Sequence, residues 1–127
     1  MSRGGFLKTM KGEDLIQNCG KLHMLDRLLV KLKADGSRVL IFSQFKETLD
    51  ILEEAVTYRF GPKGEQYFRL DGETSRINRE LDIREFNRAG AEVFIYLIST
   101  KAGGVGLNLA TADSVVLYDS SHNPQVD

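Results

Sequence analysis

Four short apolar runs alternate with stretches of helical periodicity, and that alternation constrains the fold more than any other feature of the chain. Residues 38–43 (Arg-Val-Leu-Ile-Phe-Ser), 66–70 (Gln-Tyr-Phe-Arg-Leu), 93–98 (Val-Phe-Ile-Tyr-Leu-Ile) and 114–118 (Ser-Val-Val-Leu-Tyr) are rich in β-branched and aromatic side chains. In the first of these runs, residues 38–43, a short, apolar and β-branched pattern suits a buried strand of a parallel sheet. Ahead of the first run, Leu22, Leu25, Leu28, Leu29 and Leu32 recur at helical spacing, with Lys21, Asp26, Arg27, Lys31 and Lys33 on the other side; Asp35 and Gly36 end this helix. A second helix is expected over residues 46–59, with Leu49, Leu52, Ala55 and Val56 inward. A third is expected over residues 76–88, where Ile77, Leu81, Ile83 and Phe86 form a less regular stripe behind a cap at Thr74 or Ser75. Strands alternating with helices predict an α/β fold: a parallel sheet with right-handed crossovers and helices on both faces. Residues 1–20 are expected to be a flexible lead-in, with one helical turn at residues 12–17, and residues 21–127 the ordered domain.

A length of 127 residues suits one domain with one core. The formal net charge of −1 excludes a strongly basic nucleic-acid-binding domain, so any nucleic-acid contact must use a local patch. No apolar run is long enough to span a bilayer. The single cysteine, Cys19, excludes an internal disulfide and fits a reducing intracellular compartment. It is expected to be a small, partly buried side chain near a helix start. With only two histidines, His23 and His122, a zinc site is not expected.

In parallel α/β sheets ligands gather at the carboxyl ends of the strands. Four polar or glycine-rich segments fall there: residues 43–45, 71–74, 99–108 and 119–124. The third carries Gly103, Gly104 and Gly106 just past a strand. Glycine lets a backbone approach another molecule closely, and hydroxyl and N–H groups at such a turn suit phosphate oxygens. An equally open reading is a tight strand-to-helix turn with no ligand. The third glycine of G-x-G-x-x-G would fall at Leu109, so the dinucleotide fingerprint fails, and no G-x-x-x-x-G-K-[ST] occurs.

Taken in order, these segments resemble a known set of motifs. Residues 39–45 (Val-Leu-Ile-Phe-Ser-Gln-Phe) look like helicase motif IV. Residues 69–72 (Arg-Leu-Asp-Gly), with Thr74 and Arg79, resemble the next motif. Residues 99–109 resemble motif V, and residues 115–127, ending Asn-Pro-Gln-Val-Asp, resemble the segment leading into motif VI. Over residues 20–127 the chain is therefore similar to the second RecA-like lobe of superfamily 2 ATPases of the switch/sucrose-nonfermenting class, nearest the imitation-switch and chromodomain-helicase branches.

The resemblance implies a partial C-terminal RecA-like helicase lobe, truncated before its last elements. It implies one half of an ATP-dependent translocase that remodels chromatin, with ATP and Mg²⁺ held mainly by an N-terminal ATPase lobe of the same protein. Double-stranded DNA and nucleosomes are the implied partners and the nucleus the implied location. Carried over by motif, Ser43, Gln44, Arg69, Gly72, Ser99 and Thr100 would lie along the DNA backbone, and Gly104, Gly106 and Asn108 at the nucleotide. His122 stands where the family usually has a tryptophan that presses on DNA. No catalytic residue is expected within these residues, because the motif that carries the family's arginine finger is the next one. Two alternatives stand beside this reading: a DNA-repair or transcription-linked translocase of the same superfamily, and a non-catalytic interaction module of the same fold. Single residues also admit plainer roles. The plainer readings are a strand-surface position for Arg69, a turn cap for Asp71, and for Asn108 the satisfaction of its own loop's backbone groups. Lys101 is expected in solvent, and Tyr67, Phe68 and Phe94 are expected in the core.

Overall fold

The computed structural model describes residues 12–17, 19–101 and 109–119. The elements, in chain order, are α1 (Gly12–Gln17), α2 (Gly20–Ala34), β1 (Val39–Ser43), α3 (Lys46–Arg59), β2 (Tyr67–Leu70), α4 (Arg76–Asn87), β3 (Ile95–Ser99) and β4 (Ser114–Leu117). The strands form one parallel sheet in the order β2-β3-β1-β4. The registers Ser43↔Ser99, Leu70↔Ile98 and Phe42↔Leu117 bring all four carboxyl ends to one edge.

Successive strand residues face opposite sides of a sheet, and the two cores follow that alternation. Val39 and Ile41 of β1, with Ile95 and Leu97 of β3, pack against α1, α2 and α3. Leu40 of β1, with Tyr96 and Ile98 of β3 and Phe68 and Leu70 of β2, packs on the opposite face with Phe86 of α4. Helices thus lie on both faces, as the alternation requires. Tyr67, Phe68 and Phe94 are buried in these cores.

Local chemistry sets the boundaries. Ser75 caps α4, its hydroxyl accepting from the Asn78 N–H at 3.1 Å. Gly36 takes φ +74 just after α2, and the N–H of Ser37 reaches back to the Leu32 carbonyl at 2.9 Å. This left-handed position favours glycine and closes the helix. Cys19 is the buried residue preceding α2.

Three expectations need correction. Within the segment read as a lead-in, residues 12–17 form a helix whose Leu15 and Ile16 are fully buried in the main core. Burying two such side chains contributes about 1.5–3 kcal/mol each. Glu13 adds an ion pair to Arg59 (2.9 Å), and Arg59 in turn bonds Asp26 (2.8 Å). On α4, Ile77 and Leu81 belong to the solvent side, 71% and 51% exposed, and Phe86 is the buried anchor. The Phe86 ring sits 5.3 Å from that of Tyr96. Leu28 of α2 is likewise exposed, whereas Leu22, Leu25 and Leu29 are buried.

Candidate functional site

The carboxyl edge of the sheet is built from the ends of β1, β2, β3 and β4. At the end of β1, Ser43 is 1% exposed and its side chain turns inward. Its Oγ lies 3.0 Å from each carboxylate oxygen of Asp119, which follows β4, and accepts from the Phe45 N–H at 3.2 Å. The same carboxylate accepts from the Gln44 N–H. The Thr100 N–H donates to the Ser43 carbonyl at 3.0 Å, joining the end of β3 to the same turn. Phe45, the residue capping α3, supplies no side-chain acceptor. The anionic Asp119 therefore stands before the positive end of a 14-residue helix, a favourable placement.

At the end of β2, Asp71 organises its own turn. Its Oδ1 accepts from the Glu73 N–H at 2.9 Å, and Thr74 Oγ1 accepts from the Asp71 N–H at 3.1 Å. Burial alone would raise the pKa of this carboxyl. The Glu73 N–H and the Arg69 guanidinium outweigh burial and hold it below its usual value. Arg69 itself has a side chain only 8% exposed. Its Nη1 donates to Asp50 (2.8 Å) and Glu53 (2.9 Å) of α3, and its Nε to Asp71 (2.9 Å).

Between these ends lies a cleft of about 310 Å³, lined by Gln44, Lys46, Leu49, Asp71, Gly72, Glu73, Ser99 and Lys101. Of the residues expected along a phosphate backbone, Gln44, Gly72 and Ser99 meet in this cleft, and Thr100 is exposed beside it. Ser43 and Arg69 do not present free side chains there. The first is buried against Asp119, and the second is turned into three carboxylates. A larger hollow of about 610 Å³, lined by Arg69, by Asp50 and Glu53 of α3 and by Asn78 and Asp82 of α4, shares only Lys46, Asp71 and Glu73 with the cleft.

Lys46 and Lys101 are the site's cations, and both are exposed. Lys46 makes a 3.8 Å contact with Glu73 in which both side chains are largely in solvent, a pairing of little strength. Lys46 was legible as a signal: a cation in the first turn of a helix opposes the helix dipole and calls for another reason to be there. Asp119 carried no signal beyond lying among polar residues at a strand end. Gly72 is exposed, and a Cβ added to it would meet no atom within 4 Å. Nothing among the described residues therefore demands glycine at that position.

Gly104, Gly106, Asn108 and His122 lie outside the described residues. Among the described residues no cluster of three or more His, Cys, Asp or Glu side chains is arranged to hold a metal ion. No helix among them is long and apolar enough to cross a membrane.

Residues 20–127 match the helicase conserved C-terminal domain. The chain is 56% identical over 116 residues to a probable chromatin-remodeling complex ATPase chain of Oryza sativa subsp. japonica, covering 91% of this chain and 10% of that protein. It is 53% identical over 115 residues to SWI/SNF-related matrix-associated actin-dependent regulator of chromatin subfamily A member 1 of Homo sapiens, covering 91% and 11%. This chain thus spans about a tenth of the length of such relatives. Among solved structures it superposes on the C-terminal part of the Fun30 ATPase domain with a TM-score of 0.74 at 36% identity, covering 93% of this chain and 37% of that one. On the Sulfolobus solfataricus SWI2/SNF2 ATPase C-terminal domain the TM-score is 0.68 at 27% identity, covering 88% and 47%. The chain belongs to the helicase conserved C-terminal domain family, in the RecA-like form found as the C-terminal lobe of SWI2/SNF2-type ATPases.

Proposed function

We propose that this chain is the DNA-gripping lobe of an ATP-driven, nuclear chromatin-remodelling translocase, working on nucleosomal double-stranded DNA opposite an N-terminal ATPase lobe of the same protein. The observation that carries the reading is the cleft at the carboxyl edge. It joins the Gln44 turn, the Gly72 turn and the Ser99 hydroxyl to two exposed lysines. Phosphate contacts of this kind fix a protein on DNA without reading its sequence, as movement along any sequence requires. Gln44, Gly72, Ser99 and Thr100 supply hydrogen bonds to the backbone, while Lys46 and Lys101 supply charge. Arg69 braces the Gly72 turn against α3, and Ser43 braces the Gln44 turn from beneath.

ATP and Mg²⁺ belong to this reading as ligands of the two-lobed protein. Hydroxyls and a lysine at residues 99–101 lead directly into the glycine loop, and such groups suit phosphate oxygens. Gly104, Gly106 and Asn108 are proposed to line the nucleotide, and His122 to face DNA. What the described residues contribute is the grip, and the lobe by itself hydrolyses no ATP.

Titration of labelled duplexes of different sequence at several salt concentrations tests the reading. The chain should bind weakly and alike to all sequences. Lys46→Ala and Lys101→Ala should each weaken binding and flatten the salt slope by about 0.9. Sequence-dependent binding, or lysine variants that bind as well as the unsubstituted chain, would overturn it.

A further inference from the structure

The Asp119 carboxylate touches the Gln44 turn, and nothing in the motif resemblance assigned it a role. Its carboxylate accepts from the Ser43 hydroxyl and from the Gln44 N–H. The Ser43 hydroxyl in turn accepts from the Phe45 N–H. The last residue of β1 and the next residue therefore hang directly on one carboxylate from the end of β4, and Phe45 hangs on it through the Ser43 hydroxyl. The Tyr118 N–H donates to the Phe42 carbonyl at 3.0 Å, so the backbone that carries Asp119 is itself fixed to β1. From α2, the Lys21 ammonium lies 4.2 Å from the centre of the Tyr118 ring. Burial draws the Lys21 pKa down, and the Asp119 carboxylate opposes that drop, so the two opposite charges face each other.

We propose that Asp119 is a positioning residue: by holding Ser43, Gln44 and Phe45 it sets the orientation in which Gln44 and the first turn of α3 face the cleft. This rests on the reading of the cleft as a phosphate grip. Asp119 does not line the cleft. Its own charge repels DNA, so its two possible effects have opposite signs. If Asp119 acts only through its charge, removing that charge strengthens binding. If it acts by positioning, removal weakens binding although a repulsive charge has gone.

The experiment compares the unsubstituted chain with Asp119→Asn, Ser43→Ala, Lys46→Ala and Lys101→Ala. Duplex titrations across salt are combined with amide hydrogen exchange. Asp119→Asn should weaken duplex binding by roughly three- to tenfold, the scale of one ordinary hydrogen bond lost because Gln44 is no longer held in place. Its salt slope should be unchanged, because Asp119 touches no phosphate. Protection of the Gln44 and Phe45 amides should drop by about tenfold or more, while the amides of Ile41 and Leu97 in the central strands keep theirs. Ser43→Ala should reproduce part of the loss, and the double variant should lose less than the sum, as for residues sharing one network. Unchanged or tighter binding by Asp119→Asn overturns the proposal. So does exchange that rises equally in the central strands, since Asp119 is then a general stabiliser. If the lysine variants weaken binding and Asp119→Asn does not, the positioning role alone fails. If the lysine variants also bind normally, the phosphate grip fails and the positioning role goes with it.

Discussion

Arg69 on β2 reaches Glu53 on α3 through an Nη1–Oε1 contact of 2.9 Å, and the same nitrogen bonds Asp50 one helical turn earlier. The guanidinium is nearly buried, while its partners are partly exposed. An arginine fork suits several carboxylates at once because its donors are fixed in a plane. The motif alone placed Arg69 near DNA; the geometry places it between the helix and the Gly72 turn.

Arg69→Ala should therefore act first on stability. Removing one partner of a buried charge pair costs about 3–5 kcal/mol, and the exposure of Asp50 and Glu53 reduces this to roughly 2–3 kcal/mol. Urea unfolding monitored by circular dichroism should show the loss. Arg69→Lys should recover only part of it, because a lysine keeps the charge without the fork. An Arg69→Ala chain of normal stability with weakened duplex binding would return this residue to the DNA backbone.

Asp71 gives the acid dependence. Its folded pKa lies below the unfolded value of 3.8. A group depressed in this way contributes stability that is complete above the unfolded pKa and is lost as pH falls through the folded one. The urea midpoint of the unsubstituted chain should exceed that of Asp71→Asn near neutrality, and the difference should shrink as pH falls through 3.8 and below. A difference that stays constant over that window would show that the Asp71 contribution is not ionic.

Phe86 is the buried residue of α4, so α4 should depend on it. Phe86→Ala should cost about 3–5 kcal/mol, as for other large-to-small changes in a core. Ile77→Ser and Leu81→Ser, on the exposed side, should stay within about 0.5 kcal/mol. Thermal melts of the three variants check this. A large loss from Leu81→Ser would mean that this helix face is covered in solution.

These residues also mark what was legible in the sequence. The strands and helices of the sheet were readable because buried parallel strands announce themselves as apolar runs and helices by their period. α2, α3 and α4 begin or end within two residues of their expected limits where a cap or glycine marks the boundary. The face of α4 was not readable, since Ile77, Leu81 and Phe86 share a chemistry and only packing on Tyr96 and Phe68 separates them. At the site, Gln44, Gly72 and Ser99 were found from their motifs and meet in one cleft. The inward turn of Ser43 and Arg69 was hidden because their partners Asp119, Asp50 and Glu53 are distant in sequence or on another element. Pairings of that kind leave no local pattern.

Gly72 separates a structural demand from a functional one. It is absent from the positive-φ glycines, and a Cβ placed on it would touch nothing within 4 Å. Alanine therefore fits, and by narrowing the unfolded ensemble it should raise stability by about 0.4–1 kcal/mol. If a phosphate oxygen comes up to the Gly72 N–H, the added methyl group stands in the crowded approach to that donor. Loss of one such charge-assisted bond should weaken duplex binding by about tenfold. Gly72→Ala should thus melt at the same or a higher temperature while binding DNA less well, a combination that general damage to the fold cannot produce. Normal duplex affinity in a chain of unchanged stability would remove the Gly72 turn from the grip and leave the cleft to its lysines and the Gln44 turn.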